Sequence, residues 1–101
     1  MAQTPEGAVK AKIKAWLNAR GIYFCMPMGT GFGNSGVPDF LCCWDGRFLA
    51  IEAKAPGKRR NTTVMQDNQI MGIHKSSGIA MVVDDVSQLD ELEARLGREP
   101  I

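Results

Sequence analysis

The sequence predicts an α/β domain, on three observations. Apolar residues recur at helical spacing in three segments: after Thr4, between 64 and 77, and after Asp85. Between the first two segments lie strand-like apolar runs, two of them joined by Asp45-Gly46, a pair that tolerates positive φ and marks a hairpin. A short, wholly apolar run at 79–83 separates the last two helices. The order is helix, strand, strand, strand, helix, strand, helix, in 101 residues that suffice for one core and one domain.

The first helix starts at Thr4-Pro5-Glu6, which offers a capping hydroxyl, a proline at the first helical position and an acid in the first turn. Val9, Ile13, Trp16 and Leu17 form its apolar stripe, with Lys10, Lys12 and Lys14 largely off it. Arg20-Gly21 ends it, and 22–26 reads as a strand. A glycine-rich loop from Met28 to Gly36 follows. Its Gly31-Phe-Gly33-Asn-Ser-Gly36 matches the dinucleotide fingerprint in letters. That fingerprint must open a helix, however, and this one opens into Val37-Pro38 and a strand, so a Rossmann reading is rejected. The loop is expected to let a nucleic-acid backbone approach, with a plain mobile connection as the alternative.

The hairpin comes next, then a polar, basic loop from Pro56 to Thr63. The second helix spans 64–77, with Met65, Ile70 and Ile73 expected on its buried side and Gly78 at its end. After the strand at 79–83, Asp85 or Ser87 caps a last helix in which Leu89, Leu92 and Leu96 share one face before Gly97. No internal repeat or low-complexity segment interrupts this order.

Composition narrows the class. The 45% apolar content is ordinary for a globular protein, no apolar run approaches a membrane span, and no signal-peptide core stands at the N-terminus. A cytoplasmic or nucleoid-associated location is expected. Cys25, Cys42 and Cys43 have neither zinc-ligand nor disulfide-framework spacing and are expected in or near the core. The net charge of +1 hides an asymmetry: 47–60 holds five basic residues against Glu52 alone, whereas 84–99 holds six acids and two arginines. A basic patch beside carboxylates suits a polyanionic substrate.

The chemistry concentrates at the hairpin. Asp39 follows Pro38 at the start of the first hairpin strand, and Glu52 and Lys54 lie two apart on the second. Strand side chains alternate, so Glu52 and Lys54 share a face, and the hairpin can bring Asp39 to them. Two carboxylates and an ammonium on a rigid sheet suit a Mg²⁺ site with a lysine beside the attacking water. An acid and a lysine two apart are by themselves usually a solvated strand face. Here Pro38-Asp39, the hairpin register and the following polar helix outweigh that bland reading.

These residues resemble the PD-(D/E)xK nuclease superfamily, and in detail its virus-type replication-repair nuclease (VRR-NUC) branch, of the stand-alone phage or bacterial type. The resemblance covers nearly the whole chain, 1–101, as a single domain. It rests on Glu6 in the first helix, Gly36-Val-Pro38-Asp39, Glu52-Ala-Lys54 and Thr63-Val-Met-Gln66. Gln69, one helical turn on, competes with Gln66 for the family glutamine. A single Gly78 after two serines departs from the paired small residues frequent in the family.

The resemblance implies a restriction-endonuclease-like αβββαβ core: a mixed central sheet flanked by helices, with an extra C-terminal helix. It implies that Asp39, Glu52, the Ala53 carbonyl and Glu6 hold Mg²⁺ or Mn²⁺. Lys54 would activate the water and stabilise the phosphate, and Gln66 would hold Lys54 or the water. His74 is expected to be a surface or packing residue rather than a general base. Lys58, Arg59 and Arg60, with Asn34 and Ser35 of the glycine loop, are expected to contact nucleic acid.

The expected activity is metal-dependent hydrolysis of DNA phosphodiesters, selective for branched structures such as four-way (Holliday) junctions. The alternative is a catalytically idle nucleic-acid-binding module on the same fold. A homodimer is expected, because paired cuts across a junction need two sites. Phe32, Trp44 and the leucine face of the last helix are its candidate apolar surfaces.

Overall fold

The computed structural model describes residues 3–28 and 35–97. The expected order holds: α1 (Pro5–Ala19), β1 (Tyr23–Cys25), β2 (Phe40–Trp44), β3 (Arg47–Ala53), α2 (Val64–Lys75), β4 (Ile79–Val83) and α3 (Ser87–Leu96). The four strands form one mixed sheet in the order β1-β2-β3-β4. The first three pair antiparallel, and β4 joins β3 in parallel through the α2 crossover. Among the described residues, no helix is long and apolar enough to cross a membrane.

Two helices cover one face of this sheet. Val9, Ile13, Trp16 and Leu17 of α1 and Leu89 and Leu92 of α3 pack with Phe40, Cys42, Trp44, Leu49, Ile51, Ala53 and Val83. Trp16 and Trp44 meet edge to face at 6.0 Å. The end of α1 is fastened to α3 by Trp16 Nε1, which donates to Asp90 Oδ1 at 2.8 Å. Arg20 lies 3.7 Å over the Trp16 ring and pairs with Glu93 at 2.9 Å. Trp44 and the leucines Leu89 and Leu92 are therefore core residues, not the exposed dimer surface expected of them. Phe32 lies outside the described residues.

The opposite face is only partly covered. From Leu49 onward β3 is buried on both sides, because α2 lies over its outer residues and β4. Toward β1 that cover ends. Tyr23, Cys43 and Phe48 stand in one row across three strands, with Tyr23 74% and Phe48 46% exposed. Cys42 points into the core as expected, but Cys25 and Cys43 are exposed, since alternation turns them to this uncovered side.

Helix α2 also differs from expectation. None of its residues is buried: Met65 is 56% exposed, and Ile70 and Ile73 are only half-buried. It rests on the sheet edge rather than inserting an apolar side. Its end is a Schellman turn in which Gly78 N donates to Ile73 O and Ser77 N to His74 O. The left-handed residue is Ser77, at φ 67, and not Gly78. Gly78 is needed for a different reason: a Cβ there would lie 2.8 Å from Ile73 Cγ2 and 3.2 Å from Phe48 Cδ2. The start of α3 also departs slightly. Val86 is the N-cap residue, while Asp85 Oδ1 accepts the Ser87 N–H at 2.9 Å.

These two positions give opposite predictions. Ser77→Gly relieves a left-handed L-residue and should raise stability by about 0.5–1 kcal/mol. Gly78→Ala must push Ile73 or Phe48 aside and should lower it by about 1–3 kcal/mol. Urea unfolding of both variants measures the pair; the reverse signs would make Gly78 the left-handed residue.

Candidate metal and catalytic site

The site forms where the hairpin, the start of α2 and the start of α1 converge. Phe40 pairs with Ile51, so Asp39, one residue before β2, lies at the level of Glu52. Asp39 Oδ2 accepts the Ala53 N–H at 2.9 Å, which fixes the carboxylate against the end of β3. Glu52 points to the α2 side and is 5% exposed, the only buried charged residue among those described.

Gly36 explains how α2 comes close enough. Its φ is +78°, and a Cβ there would lie 2.5 Å from Met65 C and 2.6 Å from Gln66 N. The backbone before Pro38-Asp39 thus packs directly on the first turn of α2, which only glycine allows. Thr63 caps that turn. Its Oγ1 accepts the Gln66 N–H at 3.1 Å, and its own N–H donates to Gln66 Oε1 at 3.0 Å, a reciprocal capping box.

The same Gln66 amide reaches the acid and the lysine. Oε1 also accepts from Lys54 Nζ at 3.0 Å, and Nε2 donates to Glu52 Oε2 at 3.0 Å. The reverse amide orientation would point NH₂ at an ammonium and a backbone N–H, so the network fixes the orientation. Gln69, the competing choice, donates instead to Ser35 O at 3.3 Å. The glutamine beside Lys54 and Glu52 is therefore Gln66. His74 contacts Ala80 O at 3.0 Å, away from the carboxylates, in keeping with a packing role.

Glu6 arrives by an intermediary. Its Oε2 lies 3.4 Å from Lys10 Nζ, which in turn lies 3.5 Å from Asp39 Oδ1. Partial burial disfavours the Lys10 charge, but Asp39 and Glu6 outweigh it and raise its pKa. The motifs do not point to Lys10. The one signal for it in the sequence is the i,i+4 spacing to Glu6, which reveals a helix pair but not the reach to Asp39.

Electrostatically Glu52 is the unusual group. Desolvation, then the adjacent Asp39 carboxylate, push its carboxyl from 4.5 up to about 7, against the opposing pull of Lys54. Among the described residues no three His, Cys, Asp or Glu side chains are grouped to hold a metal by themselves. The donor set nonetheless fits a hard divalent ion. Asp39 and Glu52 are oxygen ligands whose mutual repulsion a bound cation would relieve, and Mg²⁺ commonly takes one or two carboxylates while keeping waters. Asp39, Glu52 and the Ala53 carbonyl are the groups that would hold it, and Glu6 is connected to them through Lys10.

The nucleic-acid candidates lie around this centre. Lys58, Arg59 and Arg60 are exposed, in a loop pinned where Asp84 Oδ2 accepts the Gly57 N–H and Arg59 Nε donates to Val82 O, both at 2.9 Å. Ser35 is exposed beside α2, and Asn34 lies outside the described residues, as does most of the glycine loop. Comparison with family models, curated proteins and solved structures gives no match to this chain.

A raised carboxyl pKa makes the folded protein bind a proton more tightly than the unfolded chain. Metal-free stability should therefore fall as pH rises from about 4.5 through about 7 and level off above it. Glu52→Gln, neutral at every pH, should flatten that fall and unfold at a higher temperature than the wild type at pH 8. Melting temperatures across pH 4–8 in chelator check this. An unchanged slope in the variant would remove Glu52 as the titrating group.

Proposed function

We propose that this chain is a divalent-metal-dependent DNA endonuclease of the PD-(D/E)xK type, close to the VRR-NUC branch and selective for branched DNA. The observation that carries the reading is the continuous arrangement Lys54–Gln66–Glu52, with Asp39 beside the buried Glu52. A bound Mg²⁺ or Mn²⁺ would supply Lewis-acid polarisation of the scissile phosphate. Lys54, held by a neutral amide rather than by a carboxylate, keeps its charge directed at the attacking water and the developing phosphorane. Gln66 positions Lys54 and Glu52 relative to each other. Lys58, Arg59, Arg60 and Ser35 would contact the phosphate backbone, and readout would rest on shape and charge rather than base sequence.

The test is metal-dependent cleavage of labelled linear duplex, flap and four-way junction at matched salt. Asp39→Ala and Glu52→Ala should abolish cleavage with DNA binding retained. Lys54→Ala should lose about 10²–10⁴-fold in rate, and Gln66→Ala less. Binding without cleavage by the wild type in Mg²⁺ and Mn²⁺ would instead identify an idle binding module.

The homodimer belongs to the same reading, but on different surface from that first expected. Tyr23 and Phe48 on the uncovered sheet face, and Val64, Met65 and Met71 on α2, are exposed large apolar residues. Light scattering should give the mass of two chains for the wild type and of one for a Tyr23→Glu, Phe48→Glu variant. A wild-type monomer that makes paired junction cuts would refute the dimer.

A further inference from the structure

Lys10 belongs to none of the site motifs, yet its ammonium stands between two of the candidate metal ligands. It is 3.4 Å from Glu6 Oε2 on its own helix and 3.5 Å from Asp39 Oδ1 at the start of β2. Both contacts are longer than the 2.7–2.9 Å typical of a charge-assisted hydrogen bond. All three side chains remain partly open to water, at 34%, 45% and 22% for Lys10, Glu6 and Asp39. Such pairs hold weakly.

A loosely held cation between two carboxylates, with Glu52 behind them, takes the electrostatic position of a divalent ion. We propose that Lys10 is an internal counter-cation at the Glu6–Asp39 end of the site, exchanged for the divalent ion when metal is loaded. The inference rests on the metal-dependent reading of that site. In the metal-free protein Lys10 offsets the repulsion between Glu6 and Asp39 and keeps Glu6 turned toward the sheet. On loading, the ammonium withdraws to solvent along its flexible four-carbon stem. The backbone has no need to move, because Val9 and Ile13 anchor α1 in the core on either side of Lys10. Glu6 becomes available as a ligand only at that step, which gives its indirect connection to the site a purpose.

Exchange makes Lys10 a competitor of the metal, and competition is measurable without DNA or cleavage. Mn²⁺ is titrated into the full chain and free Mn²⁺ is followed by electron paramagnetic resonance. The wild type is compared with Lys10→Met and with Lys14→Met, which removes the same charge one turn further along α1. Lys10→Met should bind Mn²⁺ about three- to tenfold more tightly than the wild type, the factor expected from two weak ion pairs. Lys14→Met should stay within about twofold. Without metal, Lys10→Met should unfold at a lower temperature than the wild type, and saturating Mn²⁺ should close the gap. Unchanged or weaker Mn²⁺ binding by Lys10→Met would overturn the exchange, as would equal tightening in Lys14→Met. Absence of Mn²⁺ binding by the wild type would overturn the metal-dependent reading itself, so the two failures are distinct.

Discussion

A carboxylate taken out of water on a strand covered on both faces costs several kcal/mol unless donors or a cation meet it, and Glu52 is in that position on β3. The groups around it are arranged accordingly. Gln66 brings an amide donor to Oε2, Lys54 adds a positive charge without a direct pair, and Asp39 adds a negative one. The balance remains unfavourable for the ionised form, which is why the carboxyl rises to about 7. A purely structural site would be expected to pair Glu52 with Lys54 directly. Here the amide is interposed between them, and each keeps chemical capacity that a salt bridge would consume.

Much of this was legible in the sequence because its signals were local. Asp45-Gly46 determined the hairpin, and the hairpin register brought Asp39 level with Glu52. The Thr63-x-x-Gln66 spacing is a capping box, so the helix start and the site glutamine were one signal. Gly36 was legible as a motif letter, but its reason, contact with the α2 backbone, depends on tertiary packing.

What was not legible depends on which side of the sheet is covered. Alternation separates Cys42 from Cys43 but does not specify which face carries α1 and α3, and that choice is what exposes Cys25 and Cys43. The same ambiguity hid the burial of Trp44, whose place beside the turn suggested a surface. The spacing of Met65, Ile70 and Ile73 suggested a buried side for α2, whereas the helix lies on the edge of the layer. No local pattern joins Lys10 to Asp39, because the two are distant in sequence.

The edge position of α2 ties the fold to the site. A helix of 12 residues with none buried gains little from core packing, and one of this length is marginal in isolation. Its attachment is largely polar: the capping box at Thr63, Gln66 to Glu52 and Lys54, Gln69 to Ser35, and His74 to Ala80. Three of these hydrogen bonds, with Thr63, Lys54 and Glu52, run through the Gln66 side chain, which also organises the candidate catalytic groups. A change in charge at Glu52 therefore acts on the docking of α2, and a shift of α2 acts on Lys54. The face packed by α1 and α3 has an apolar, interdigitated core and meets the site through Glu6 and Lys10 at the start of α1. The sheet thus has one face closed by an apolar core and one whose helix is held through the site's own side chains, with Glu52 on the strand that both share.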